Sequence, residues 1–231
     1  MKTYQIHLIR NGLTKANLEG KYIGHKDVPL SSEGIKQLHD MKGKYTYPRV
    51  DAVFTSPLQR CTKTAQIIYP DNSPLVFEKL IEYNFGDFED KTAEELQGDE
   101  LFVKWLAGDP EGIPPFGETN SEFAERVLEC FRMIVEGVFK AGVRDCAIIT
   151  HGGVIMTILS AFGLPERPMH EWLIPNGCGY TMRLTPSLWM RLEKAEIISE
   201  IPCNVIDDDE YNPDKDVNYL DIDDEYFRYD L

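Results

Sequence analysis

The stretch Cys146-Ala147-Ile148-Ile149-Thr150-His151-Gly152-Gly153 decides the fold. Four apolar residues without alternation read as a short strand buried on both faces. The polar turn Thr150-His151-Gly152-Gly153 leads into the apolar helical run Val154–Phe162, which Gly163-Leu164-Pro165 stops. A strand with no polar face, followed directly by a helix, is the unit of a parallel sheet covered by helices.

The same alternation extends through the chain. Tyr4-Gln5-Ile6-His7-Leu8-Ile9 is β-rich and ends at Arg10-Asn11-Gly12. Ser31-Ser32-Glu33-Gly34 caps a helix carrying Ile35, Leu38 and Met41 at helical spacing. Asp51-Ala52-Val53-Phe54 is a second strand, and Pro57 opens a helix running through Arg60 and Ala65 to about Tyr69. Leu75-Val76-Phe77 reads as a third strand. Phe123, Val127, Phe131, Ile134 and Val138 form one stripe along a helix over Asn120–Lys140. Gly179–Leu184 and Leu192–Ile198 complete the predicted sheet. The expected class is α/β, a three-layer sandwich with a mostly parallel central sheet covered by helices on both faces. Residues 83–118, punctuated by Gly, Pro and acidic residues, form an excursion over the sheet that includes a partial lid, with a helical patch near Glu100–Leu106.

Composition limits the partners. A net charge of -15 argues against nucleic acid, whose phosphates need Lys and Arg stripes. A few arginines in a cleft can still set a local field for a small anion. The five cysteines (Cys61, Cys130, Cys146, Cys178 and Cys203) show no CxxC spacing and read as reduced, apolar-packed thiols. The start has no apolar signal segment, and no run approaches the ~18 apolar residues of a membrane span. The expectation is a soluble cytoplasmic protein with no membrane partner. One domain is expected over residues 1–202, followed by an acidic segment over 203–231. Within it, residues 207–231 hold eleven Asp/Glu against one Lys and one Arg. Charge alone predicts disorder there. Tyr211, Tyr219, Tyr226, Phe227 and Tyr229 point instead to a tail packed on the body or on a neighbour, which leaves a homo-oligomer open.

Polar clusters fall at the carboxyl ends of the predicted strands, where open α/β sheets place their ligands. They are Leu8-Ile9-Arg10-Asn11-Gly12-Leu13-Thr14 with Asn17, then Thr55-Ser56-Pro57-Leu58-Gln59-Arg60-Cys61, then the segment Leu80–Glu89, then Thr150-His151-Gly152-Gly153. Each alone is weak, since an Arg after a strand is commonly a surface ion-pair partner. In this order, LIRNGLT, SPLQRCTKTA, LIEYNFGDFE and THGG resemble the motifs of the histidine phosphatase (phosphoglycerate mutase-like) superfamily. The resemblance runs from about Tyr4 to Leu184.

That resemblance implies a phosphomonoester hydrolase. A histidine at position 11 attacks phosphorus in line and forms a phosphohistidine, while Arg10, Arg60 and His151 bind the non-bridging oxygens. Glu82 protonates the leaving oxygen and then deprotonates the hydrolytic water. Thr14 and Asn17 stand where the family adds phosphate contacts, and Gly152-Gly153 should let an anion approach a helix start. Arg suits phosphate because its fork of donors stays charged, and Glu82 needs a raised pKa, for which Phe85 and Phe88 are the expected apolar surround. The ligand is then a small phosphorylated metabolite or inorganic phosphate, with no cofactor and no metal. His25 is either a surface loop residue or a substrate contact. Trp105, Phe102, Phe116 and Tyr83 either stack on a substrate or form a lid core.

This chain departs from the family at Asn11. The amide nitrogen's lone pair is delocalised into its carbonyl, so Asn11 cannot act as the nucleophile or carry a phosphoryl group. The phosphate pocket is expected to survive, because Asn is polar and smaller than His. The retained Glu82, useful for proton transfer rather than binding, favours a substrate-trapping variant in which the nucleophile was replaced deliberately. A natural pseudoenzyme that binds without turnover is the alternative. A phosphoglycerate mutase-type phosphotransferase is less favoured, since no Arg follows Glu82 before Arg126. A flavodoxin-like module would need a Gly-rich first loop, which Arg10-Asn11-Gly12-Leu13-Thr14 is not.

Overall fold

The computed structural model describes residues 2–204. Among these residues, seven strands form the central sheet in the order β4-β3-β5-β1-β7-β8-β6. They are β1 (Tyr4–Arg10), β3 (Ala52–Thr55), β4 (Leu75–Val76), β5 (Asp145–Thr150), β6 (Gly163–Leu164), β7 (Gly179–Leu184) and β8 (Ala195–Ile201). β1 runs parallel to β5, β5 to β3, β3 to β4 and β6 to β8, whereas β7 is antiparallel to both β1 and β8. The sheet is therefore mixed and mostly parallel. A separate antiparallel pair joins β2 (Tyr45–Thr46) to β9 (Cys203–Asn204). The acidic segment expected to pack on the body lies outside the described residues beyond Asn204.

Strand alternation sends successive side chains to opposite faces, and the two faces build separate cores. Ile6 and Leu8 of β1 and Cys146 and Ile148 of β5 pack with α6 (Asn120–Ala141) and α7 (Gly152–Phe162). Ile9, Ala147 and Ile149 pack on the other side with α2 (Ser32–Lys44) and α3 (Gln59–Ile68). Helices thus cover both faces. The stripe Phe123, Val127, Phe131, Ile134 and Val138 is wholly buried, as its spacing predicts. α6 opens on a reciprocal cap between Thr119 and Glu122 and closes at Gly142, whose φ of 72° is the left-handed conformation that glycine adopts without strain.

The final strand differs from the reading above. Residues 186–192 form α8 (Pro186–Leu192), and the strand lies later, at Ala195–Ile201. Thr185 caps α8 and Pro186 occupies its first turn, a start signal as strong as the one at Ser31. Trp189 then buries against Phe131 and Phe162.

Residues 83–118 carry α4 (Ala93–Leu96) and α5 (Glu100–Leu106). Phe88, Leu96 and Phe102 make a small core of their own with Tyr22, Phe85 and Trp105. Of the aromatics offered for stacking, Phe102, Trp105 and Tyr83 are spent on this packing. Phe116 is 90% exposed at a φ of 61°. Among the described residues, no helix is long and apolar enough to cross a membrane.

Candidate active site

β1, β3 and β5 end side by side, and the loops that leave them converge on Asn11. The Asn11 N–H donates to Thr150 O (2.8 Å) and its carbonyl accepts from Asn176 Nδ2 (2.8 Å). Asn11 Nδ2 donates to Gly12 O (2.8 Å), and Asn11 Oδ1 lies 3.2 Å from His151 Nδ1. Arg10 is held from the opposite side. Its N–H donates to Cys178 O, its carbonyl accepts from the Gly177 N–H, and its Nη1 donates to Ile174 O (2.6 Å).

Arg60 sits in the first turn of α3 and is 3% exposed. Its Nη1 and Nη2 donate to the carbonyls of Lys26 (2.9 Å) and Gly24 (2.7 Å), and its Nε lies 3.3 Å from His151 Nδ1. His151 Nδ1 thus faces both Arg60 Nε and Asn11 Oδ1, and its Nε2 lies 2.8 Å from Ser56 Oγ. Burial holds the His151 pKa well below its usual 6.5, and Arg60, Arg126, Arg10 and His25 push it the same way. The imidazole is neutral at pH 7.

Glu82 is 8% exposed. Its carboxylate accepts from the N–H groups of Tyr83 (2.9 Å) and Gly153 (3.0 Å). Burial raises its pKa, and those two amides, Arg60 and Arg10 hold the rise in check. Phe85 and Phe88, the expected apolar surround, pack in the small aromatic core, and Phe85 also meets the ring of Tyr83, the residue after Glu82.

Of the glycine pair, Gly153 at the start of α7 donates its N–H to Glu82. A Cβ on Gly153 would lie 2.5 Å from Glu82 Oε1, and one on Gly152 would lie 3.3 Å from Arg10 Nε. Bare backbone here admits two functional side chains.

Arg10, Asn11, Arg60, Glu82, His151 and Gly152 are thus brought together. Thr14 and Asn17 are tied to each other: Thr14 N–H and Oγ1–H both donate to Asn17 Oδ1, and Asn17 N–H donates back to Thr14 Oγ1. This is the reciprocal cap of the one-turn helix α1 (Lys15–Leu18), so their hydroxyl and amide oxygen are committed to the backbone. His25 lies in the loop gripped by Arg60, with Nε2 3.9 Å from Glu118 Oε1. Burial lowers its pKa.

The sequence reading missed several supports. Thr64 Oγ1 accepts from the Gly12 N–H (2.9 Å) and donates to Arg60 O (2.6 Å), tying the first loop to α3. Ser56 Oγ holds His151 Nε2 at 2.8 Å, and Asn176 holds the Asn11 backbone. Each is a common polar residue whose role exists only once distant loops meet.

Comparison with known proteins identifies the family. Residues 6–194 match the family model of the histidine phosphatase superfamily (branch 1). The adenosylcobalamin/alpha-ribazole phosphatase of Escherichia coli (strain K12) is 28% identical over 179 residues, covering 75% of this chain and 87% of that protein. A broad-specificity phosphatase of Saccharomyces cerevisiae is 27% identical over 181 residues, covering 74% and 76% respectively. The crystal structure of the alpha-ribazole phosphatase from Shigella flexneri superposes with a TM-score of 0.68 at 27% identity, covering 84% of this chain and 94% of that one. The alternation of strands and helices, the converging strand ends and the family match lead to one conclusion: this chain belongs to the histidine phosphatase superfamily, branch 1.

Proposed function

We propose that the pocket is that of a phosphomonoester hydrolase acting on a small phosphorylated metabolite, and that Asn11 leaves it able to bind phosphate but not to turn it over. The convergence of Asn11, Arg60, His151 and Glu82 carries the reading. Arg10 and Arg60 supply positive charge that no proton equilibrium removes, and neutral His151 adds orientation rather than charge. Glu82, its pKa raised, is suited to hold a proton for the leaving oxygen.

The Asn11 contacts support this reading of position 11. Its Nδ2–H on Gly12 O marks where an imidazole Nδ1–H would sit. That bond fixes the tautomer and leaves the Nε2 lone pair free to attack phosphorus. The intact acid favours a working enzyme whose nucleophile has been replaced.

A phosphoglycerate mutase-type transfer needs cations for a second anionic group. Arg126, the first arginine after Glu82, spends its guanidinium on Glu118 and on backbone carbonyls. Hydrolysis of a simple monoester is the better match.

Asn11→His tests the reading. The restored variant is expected to hydrolyse p-nitrophenyl phosphate at least about 10³-fold faster than the chain with Asn11. It should also accumulate an acid-labile phosphohistidine on rapid quenching, while both proteins bind orthophosphate. No gain in turnover would defeat the assignment.

A further inference from the structure

Glu82 sits on a segment with no regular structure of its own. Glu78–Leu80 is a single 3-10 turn, and residues 81–85 belong to neither helix nor strand. A general acid must nonetheless lie within hydrogen-bond reach of the leaving oxygen. What fixes this segment is a residue from α6, more than forty positions away in sequence.

Arg126 offers the five N–H donors of a guanidinium, and all five are used. Nε donates to Glu118 Oε2 (2.9 Å), and Nη2 donates to Glu118 Oε1 (2.6 Å) and Glu82 O (2.8 Å). Nη1 donates to Ile81 O (2.7 Å) and Lys79 O (3.0 Å). Glu118 fastens the other side of the same segment. Its Oε1 accepts from the Asn84 N–H (2.7 Å), its carbonyl accepts from the Tyr83 hydroxyl (2.5 Å), and its N–H donates to Asn84 O (3.1 Å). Residues 79–84 are therefore clamped at both ends of Glu82, while its carboxylate takes its bonds from the Tyr83 and Gly153 N–H groups rather than from Arg126.

We infer that Arg126 and Glu118 are a positioning pair for the general acid, setting where the Glu82 carboxyl stands relative to the leaving oxygen. The inference rests on the phosphatase reading. In the first half-reaction, the bond from phosphorus to the ester oxygen breaks and a bond from phosphorus to the introduced imidazole Nε2 forms. The Glu82 carboxyl proton passes to the departing oxygen, which leaves as a neutral alcohol. A nitrophenolate leaves without that proton, whereas an alkoxide does not. Loss of positioning thus appears as a dependence on the leaving group.

The experiment uses Asn11→His with and without Arg126→Lys, which keeps the charge but loses the fork. In single turnover, phosphoenzyme formation from glycerol 2-phosphate should fall about 10²-fold, that from p-nitrophenyl phosphate less than about threefold, and orthophosphate affinity should hold. An equal fall with both esters, or no fall, overturns the inference. If Arg126→Lys does not fold, Glu118→Gln makes the same comparison. A second measurement needs no turnover: in the chain with Asn11, Arg126→Lys should move the Glu82 carboxyl titration followed by ¹³C NMR. An unmoved titration overturns the positioning role. If Asn11→His cleaves neither ester, the phosphatase reading fails and the titration still decides whether the clamp sets Glu82.

Discussion

Glu82 and His151 are both sealed from water, and burial moves their proton equilibria in opposite directions, up for the acid and down for the base. Burial thus favours the protonated carboxyl at Glu82 and the neutral imidazole at His151. His7 shows the same desolvation with no catalytic use. It lies mid-strand in β1 with Nδ1 against Thr181 Oγ1 (3.0 Å), Nε2 has no partner among the described residues, and burial lowers its pKa from 6.5 to about 4. The folded-state value lies below the unfolded one, so the unfolded chain takes up the proton first as pH falls. The stability His7 contributes is complete above about pH 6.5 and is lost as pH drops toward about 4. Between pH 7 and pH 4.5 this amounts to roughly 2 to 3 kcal/mol. Urea denaturation at the two pH values should show His7→Leu losing that much less stability than the parent chain. Equal losses would mean that His7 is not the titrating group.

At the scale of elements, α6 links the core to the site, since Phe131 and Val127 anchor it under the sheet and Arg126 projects from the same helix. Its start rests on the Thr119–Glu122 cap. Thr119→Ala should cost about 1 kcal/mol of unfolding free energy. Orthophosphate affinity should not change, because Asn11, Arg60 and His151 stand on other elements. A matching loss of binding would show that the α6 start also shapes the pocket. Caps and stripes of this kind made most elements legible in the sequence, as did the unbroken apolar run of β5. α8 was obscured because Leu188, Trp189 and Leu192 also suit a strand, and the Thr185-Pro186 start signal decides between them. Four short motifs named the candidate residues, but not the contacts to which each is committed. That Arg60 spends two nitrogens on Gly24 and Lys26, or that Gly153 serves Glu82, depends on contacts across more than thirty residues. Arg126 carried no motif signal at all, because a saturated guanidinium on a helix looks in sequence like a solvated one.

At the scale of the whole molecule, an anionic ligand must approach a chain of net charge -15 to reach Arg10 and Arg60. Nine of those net charges lie in residues 207–231, from eleven acidic side chains against Lys215 and Arg228. Like charges at a distance repel in proportion to what salt leaves unscreened, over about 30 Å at 0.01 M and about 3 Å at 1 M. Ending the chain after Asn204 keeps the β2–β9 pairing and removes those nine charges. Calorimetric titration with orthophosphate should then find binding several-fold tighter at about 0.01 M ionic strength, with the difference gone near 1 M. Equal affinities at low salt would show that the pocket's own field dominates. A change that persists at high salt would mark direct contacts from residues 205–231 instead, since short-range contacts survive screening that long-range repulsion does not.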